Sequence, residues 1–265
     1  MRIFSYWHQG QLRRTDWVCL ESWLAHGFEV ALYTHDPETR VPMGVDKMDA
    51  QEVLDKNIMQ QIAPLCHPGH VSFQPVVNFS DLFRMQGMSQ GLGLWLDTDV
   101  FVIKAFSVEP SLPFMGWEGF RRIGSPVLYL PQDSAMLADY QRCHEDLGAV
   151  PHWTEWRKSV WRPLRWRLRG IPYRAADLGI TIYGNYAFTM LSRKHYSRRD
   201  ILPKSKFYAW IGNETKRFYT DPKGIEDLEK KNAWGIHVHR KSLDNEVPVS
   251  GSIFDKALRQ SAYPL

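Results

Sequence analysis

The sequence is poor in cysteine and has no hydrophobic run long enough to cross a membrane. Its three cysteines, Cys19, Cys66 and Cys143, are far apart and form no Cys-x-x-Cys pair. This excludes a disulfide framework and a thiolate zinc site, and it favours a reducing cytoplasm. The first ten residues lack the apolar run of a signal peptide, and the stretch 178–191 falls short of the roughly 20 residues of a membrane-spanning helix. We therefore expect a cytoplasmic protein.

The sequence also has only a small excess of one charge over the other. Lys and Arg exceed Asp and Glu by 33 to 29, a net charge of +4, which is too small to predict a nucleic-acid partner. The basic residues are nevertheless concentrated between positions 157 and 169, where no acidic residue occurs: Arg157, Lys158, Arg162, Arg165, Arg167 and Arg169. Four tryptophans lie in or just before this run: Trp153, Trp156, Trp161 and Trp166.

Two interpretations of this Trp/Arg-rich segment remain open. Exposed Trp and basic side chains would place the protein peripherally on the inner membrane face. Alternatively, the Trp side chains pack into the domain and the Arg side chains form a solvated face. We expect the segment, at about 150–170, to be a small helical annex in which Pro163 interrupts any continuous helix.

The apolar content, 44% of 265 residues, is sufficient for one α/β domain spanning 1–265. A strand at 3–7, a helix at 13–26 and a strand at 28–33 predict a parallel, doubly wound sheet. Further helices are predicted at 49–62, 78–90, 133–147, 186–195 and 252–260, with Asn78 or Ser80 as an N-cap. A short apolar strand at 94–96 precedes an extended segment at 100–103.

That short strand runs directly into Asp97-Thr98-Asp99. Ligands of open α/β sheets bind at the carboxyl ends of strands. Two carboxylates separated by one small residue can approach a single hard divalent cation such as Mn²⁺ or Mg²⁺, directly or through water, and a metal there would hold a diphosphate. The alternative is that two solvated aspartates simply end a strand.

The preceding helix carries Asp81 and Arg84, spaced i, i+3 and therefore on one face. The Arg is suited to phosphate or sugar and the Asp to hydroxyl groups; the alternative is an ordinary surface ion pair. Near the C-terminus, His237 and His239 alternate with apolar residues on one strand face, and either imidazole could reach a metal. Residues 66–70, with one Cys and two His, are interpreted as a loop.

These motifs resemble a known family. Ser80-Asp81-x-x-Arg84, Gly91-x-Gly93 and Trp95-Leu96-Asp97-x-Asp99 are similar to the sugar-binding region of Asp-x-Asp glycosyltransferases with the GT-A fold. These are glycosyltransferase family thirty-two, the α-1,4-glycosyltransferases and, more distantly, the glucosylating clostridial toxins. Bacterial members of the capsular or lipopolysaccharide type look like this chain over nearly its whole length. The fold implied is a Rossmann-like, mostly parallel sheet flanked by helices.

The resemblance implies a retaining transfer from a nucleotide-diphospho-sugar, with uridine as the base, to a hydroxyl of a glycan or glycolipid. It places Trp7 by the base, Asp81 and Arg84 at the donor sugar and phosphate, and Asp97 at the ribose. Asp99 and His237 would bind metal together with Asp97, and Arg240 or Lys241 would face the diphosphate. Asn185 stands in a stretch similar to one near the reacting sugar; the alternative role is a helix N-cap.

Two other classes of function are compatible with parts of the sequence. A phosphohydrolase would use Asp97 as its nucleophile, but such enzymes carry the Asp-x-Asp motif at the first strand. A non-catalytic protein that binds anionic glycans or lipid headgroups would use the Trp/Arg-rich segment, and its binding would not depend on Asp97 and Asp99.

Overall fold

A computed structural model describes residues 1–62, 75–147, 149–170, 181–239 and 243–263, and its centre is a six-stranded sheet. In spatial order the strands are β3 (Val45–Asp49), β2 (Val30–Thr34), β1 (Ile3–Trp7), β4 (Leu94–Leu96), β7 (Arg122–Tyr129) and β6 (Phe114–Gly119). Only β7 among them runs against the rest, since it is antiparallel to both of its neighbours. Two further strands, β5 (Val100–Val102) and β8 (Gly235–His237), form a separate antiparallel pair.

Helices flank both faces of the sheet, and the described residues form nine α-helices in all. They are α1 (Arg14–Ala25), α2 (Asn57–Ile62), α3 (Pro75–Ser89), α4 (Ala135–Gln141), α5 (Arg162–Arg167), α6 (Asn185–His195), α7 (Arg217–Thr220), α8 (Gly224–Lys230) and α9 (Ile253–Gln260). Neighbouring strand residues enter different cores: Phe4 packs with residues of α3, α4 and α6, whereas Ile3 packs with residues of α1. A sheet buried on both faces reads as continuous apolar strands. The mixed α/β fold with a mostly parallel sheet flanked by helices is therefore as predicted.

Two predictions about the helices at 49–62 and 78–90 were wrong. The segment 49–62 is not one helix, because it begins at the end of β3, continues as a short 3-10 turn at Ala50–Glu52 and becomes helical only in α2. β3 is a partly exposed edge strand that contains charged residues. Its sequence therefore lacks the apolar pattern by which a buried strand is predicted. Asn78 and Ser80 are not N-caps, since α3 spans Pro75–Ser89 and contains both. Residues 66–70, interpreted as a loop, lie outside the described residues.

The Trp/Arg-rich segment is helical, and Pro163 does not interrupt it. A π-helical turn, Arg157–Trp161, passes directly into α5, where Pro163 occupies the first turn. Proline removes one backbone donor and crowds the preceding turn, and a wider π turn next to it accommodates both effects. The tryptophans divide: Trp153 is buried, Trp166 is half-buried, and Trp156 and Trp161 are exposed. No helix in the described ranges is both long and apolar enough to span a bilayer.

Candidate metal and donor site

The Asp97-Thr98-Asp99 loop is held in a fixed conformation at the carboxyl end of β4. The Trp95 indole donates a hydrogen bond of 2.6 Å from Nε1 to Asp97 Oδ1. The Thr98 hydroxyl donates one of 2.6 Å to Asp16 Oδ1 on α1. The alternative that both carboxylates are merely solvated is wrong for Asp99, which is buried.

His237 reaches this loop because β5 and β8 pair in a defined register. Val100 lies opposite His237, and the amide of Val238 donates a hydrogen bond of 2.8 Å to the carbonyl of Asp99. This brings His237 Nε2 to 3.3 Å from Asp99 Oδ1, with both side chains buried. Residues that are about 140 positions apart in the chain are thereby joined by a three-residue ladder.

Asp97, Asp99 and His237 form a group suited to a cation. One ligand atom from each lies within 4.8 Å of the other two. Two carboxylate oxygens and one imidazole nitrogen are a donor set that Mn²⁺ accepts readily and that Mg²⁺ accepts through its carboxylates. The residues therefore fit the predicted metal.

His239 occupies a different position from His237. The two rings are 3.9 Å apart between centroids, but His239 is exposed and its Nε2 lies 3.5 Å from Glu118 Oε1. Glu118, His237 and His239 make a second group within the same 4.8 Å limit. Of the two imidazoles, only that of His237 belongs to the group that contains both aspartates.

Arg84 links the helix α3 to the aspartate loop. Its Nη1 lies 3.1 Å from Asp81 Oδ1, and its Nη2 donates a hydrogen bond of 2.9 Å to Asp97 Oδ1. The guanidinium also lies 4.7 Å from the centre of the Trp95 ring. Asp81 and Arg84 are both buried, so the alternative of an ordinary surface ion pair is wrong.

The carboxyl group of Asp81 is electrostatically unusual. Its pKa is raised to about 7, because burial and, to a smaller extent, the nearby charge of Asp97 outweigh the lowering by Arg84. A cation bound next to Asp97 would oppose this effect by offsetting the negative charge of that carboxylate.

Six of the predicted residues line a single cavity of about 410 Å³: Trp7, Asp81, Arg84, Asp97, Asp99 and Asn185. They come from β1, α3, the loop after β4 and the first turn of α6, and they meet because the carboxyl ends of β1 and β4 are neighbours in the sheet. Trp7 is half-buried at this cavity, with its indole Nε1 donating a hydrogen bond of 3.0 Å to the carbonyl of Gly10. Arg240 and Lys241 lie outside the described residues.

Asn185 is the first residue of α6 and does not cap the helix. The N-cap position belongs to Gly184. The Asn185 amide instead donates hydrogen bonds of 2.8 Å to Glu118 Oε2 and 3.1 Å to the Ile123 carbonyl, and it accepts one of 2.8 Å from Ser125 Oγ. The N-cap alternative is therefore wrong, and the side chain joins α6 to β6 and β7 at the edge of the cavity.

Two buried carboxylates near the site, Asp16 and Glu118, were not among the predicted site residues. Asp16 lies four positions before Leu20 and seven before Trp23, on the buried stripe of α1. A charged residue at such a position indicates a buried polar contact, and this signal could have identified it. Glu118 lies in β6 and is buried. Burial alone would raise the pKa of Glu118, but the His239 hydrogen bond and the charge of Arg122 more than offset this and lower it.

Comparison with known proteins adds little to this geometry. No protein-family model matches the chain, and no curated protein matches it. Among solved structures, the chain is similar to one described as the PaToxG glycosyltransferase, with a TM-score of 0.43 and 10% identity, over 73% of this chain and 67% of that one. A likeness of this size identifies neither a family nor a function.

Proposed function

We propose that the protein is a metal-dependent glycosyltransferase that moves a sugar from a nucleotide-diphospho-sugar to a hydroxyl group. The observation that carries the proposal is the group Asp97, Asp99 and His237, whose ligand atoms lie within 4.8 Å of one another beside the 410 Å³ cavity. The family resemblance adds a uridine donor, a retaining outcome and a glycan or glycolipid acceptor in the cytoplasm.

Charge balance within the site supports the need for a metal. Arg84 faces Asp81 and Asp97 at 3.1 and 2.9 Å, so its positive charge is already shared by two carboxylates. Asp99 adds a third carboxylate to the same cavity. An anionic diphosphate entering this cavity would meet net negative charge, and a divalent cation held by the aspartates and His237 removes that repulsion.

Each residue then has a physical role. When bound, Mn²⁺ or Mg²⁺ supplies electrostatic stabilisation of the departing nucleoside diphosphate. Asp99 and His237 hold the cation, and Trp95 and Arg84 fix Asp97 by the two hydrogen bonds that its Oδ1 accepts. Asp81 presents a buried carboxyl group at the same cavity for the hydroxyls of the donor sugar. Catalysis by such fixed charges requires little covalent work from the protein.

The direct experiment is to incubate the purified protein with Mn²⁺ and a panel of nucleotide sugars and to measure donor hydrolysis. We expect slow, metal-dependent release of nucleoside diphosphate from one or a few UDP-sugars, abolished by EDTA. Hydrolysis of phosphomonoesters without a nucleoside requirement would instead support the phosphohydrolase. Absence of both hydrolysis and calorimetric binding with every nucleotide sugar would contradict the proposal.

Replacement of Trp7 should weaken donor binding more than it slows turnover. Trp7→Ala removes an aromatic surface from the cavity wall, and stacking of a base on an aromatic ring contributes about 1–3 kcal/mol. We expect the donor KM to rise about 10-fold or more by the same principle, with a smaller change in kcat. The matched control is Trp156→Ala, which removes an exposed tryptophan outside the cavity and should leave the donor KM unchanged. Equal donor KM values in the two variants would show that Trp7 does not contact the donor.

A further inference from the structure

The helical segment 156–168, here called the Trp/Arg helix, exposes an apolar stripe. Trp156, Val160, Leu164 and Leu168 recur at every fourth position, and Trp161 lies one residue past the second of them. All five are exposed: Trp156 by 64%, Trp161 by 57% and Leu168 by 81%. Side chains four apart share one face of a helix. A contiguous exposed apolar face on a helix indicates an interaction surface.

The charged residues of this helix have one sign. Those at positions 157–169 are all basic, and five of the six are exposed: Arg157, Arg162, Arg165, Arg167 and Arg169. The sixth, Lys158, is half-buried with its Nζ 3.8 Å from the centre of the Tyr186 ring. The surface therefore combines large apolar side chains with a run of basic side chains that contains no acidic residue.

The start of the Trp/Arg helix, and Trp153 just before it, pack against the domain near the candidate site. Trp153 stacks on Tyr140 with ring centroids 5.2 Å apart, and its Nε1 donates a hydrogen bond of 3.2 Å to the Ile182 carbonyl. Tyr186, which contacts Lys158, directly follows Asn185, a residue of the 410 Å³ cavity. The exposed surface and the cavity thus share the start of α6 as a common support.

We propose that the Trp/Arg helix is the site at which the protein binds the surface of an anionic lipid bilayer. Trp side chains favour the headgroup region, and an amphipathic helix buries its apolar face at the boundary of the acyl chains. Basic side chains are attracted to anionic headgroups at the same depth. A polyanion such as RNA would use the arginines but not Val160, Leu164 and Leu168. The further consequence, that a lipid-linked acceptor reaches the cavity, rests on the proposed function; the membrane binding itself does not.

The test is co-sedimentation of the purified protein with two kinds of vesicle, phosphatidylcholine alone and phosphatidylcholine mixed with phosphatidylglycerol. We expect strong binding only to the anionic vesicles. The binding should weaken between about 0.1 M and about 1 M NaCl, as the screening length falls from about 10 Å to about 3 Å. RNA added in charge excess should not displace the protein from the vesicles, because RNA has no apolar interior in which the apolar side chains of the helix can be buried.

Two variants separate the contributions of charge and apolar surface. One changes Arg162, Arg165, Arg167 and Arg169 to Ser. Each basic residue near an anionic surface strengthens binding about fivefold, so the loss of four should weaken binding about 600-fold. The other changes Trp156 and Trp161 to Ser, and it should lose the binding that persists at high salt. The charge-matched control changes four exposed basic residues elsewhere to Ser: Arg198, Lys216, Lys223 and Lys230.

The outcomes that overturn the proposal are specific. The proposal is wrong if the wild type and the four-Arg variant remain equally in the supernatant, if the control variant loses as much binding as the four-Arg variant, or if RNA displaces the protein fully. Nucleotide-sugar binding in solution, measured by calorimetry, should be unchanged in both helix variants. Loss of vesicle binding with intact donor binding therefore tests the membrane surface alone, whereas failure of donor binding in the wild type would count against the glycosyltransferase.

Discussion

Asp99→Ala should reduce glycosyl transfer and donor hydrolysis by about 10³-fold or more, because it removes a ligand of a cation that stabilises the leaving group. The fold should persist. The backbone carbonyl of Asp99 accepts the hydrogen bond from Val238 N that links the two paired strands, and this bond does not require the side chain. Removal of one buried carboxylate from a site that holds three also relieves repulsion in the absence of metal.

The measurement combines metal binding, activity and stability. Titration with Mn²⁺, followed by calorimetry or electron paramagnetic resonance, should show affinity lost in Asp99→Ala, with an unfolding midpoint close to that of wild type. Asp46→Ala is the matched control, because it removes an exposed aspartate whose partner is Arg2 at the surface. It should keep full activity. Near-normal turnover in Asp99→Ala would exclude the Asp-x-Asp group as the metal site.

The strand-end motif was predictable because it is local in sequence. Leu94, Trp95 and Leu96 form an uninterrupted apolar strand, and the carboxylates follow directly at its carboxyl end. His237 was predicted as a ligand through the resemblance and by alternation along its strand. The reason it meets Asp99, the pairing of β5 with β8, is a contact between segments far apart in the chain, and no local pattern specifies such a register.

The supporting contacts were less accessible to sequence reasoning. Asp16 holds Thr98 across 82 positions, and Asn185 reaches Glu118 across 67. Each is a polar side chain placed by tertiary packing, so its residue type alone permits a cap, a turn or a surface position equally well. The strands β6 and β7 were not predicted, for a related reason. Bulges between Met115 and Gly119 disrupt the alternation of apolar and polar residues that would have indicated a hairpin.

Gly93 fixes the entry into the strand that carries the aspartates. Its φ is +118°, a conformation that residues with a side chain rarely adopt. A Cβ there would lie 2.2 Å from the carbonyl oxygen of Arg2, a backbone atom that also accepts a hydrogen bond of 2.9 Å from Leu94 N. The close approach is therefore between two main chains at the junction of β1 and β4, where neither can move without shifting the sheet.

Gly93→Ala should lower the free energy of unfolding by about 4 kcal/mol, the combined cost of the unfavourable φ and of a clash that only backbone movement can relieve. Chemical denaturation at neutral pH measures the change as a shift of the midpoint at constant m-value. Gly10→Ala is the control that separates the two costs, because Gly10 also has a positive φ, +74°, but a methyl group added there would have no atom within 4 Å. It should lose only about 1–2 kcal/mol. Equal losses in the two variants would mean that β1 and β4 do not approach as closely at Gly93 as the sheet register requires.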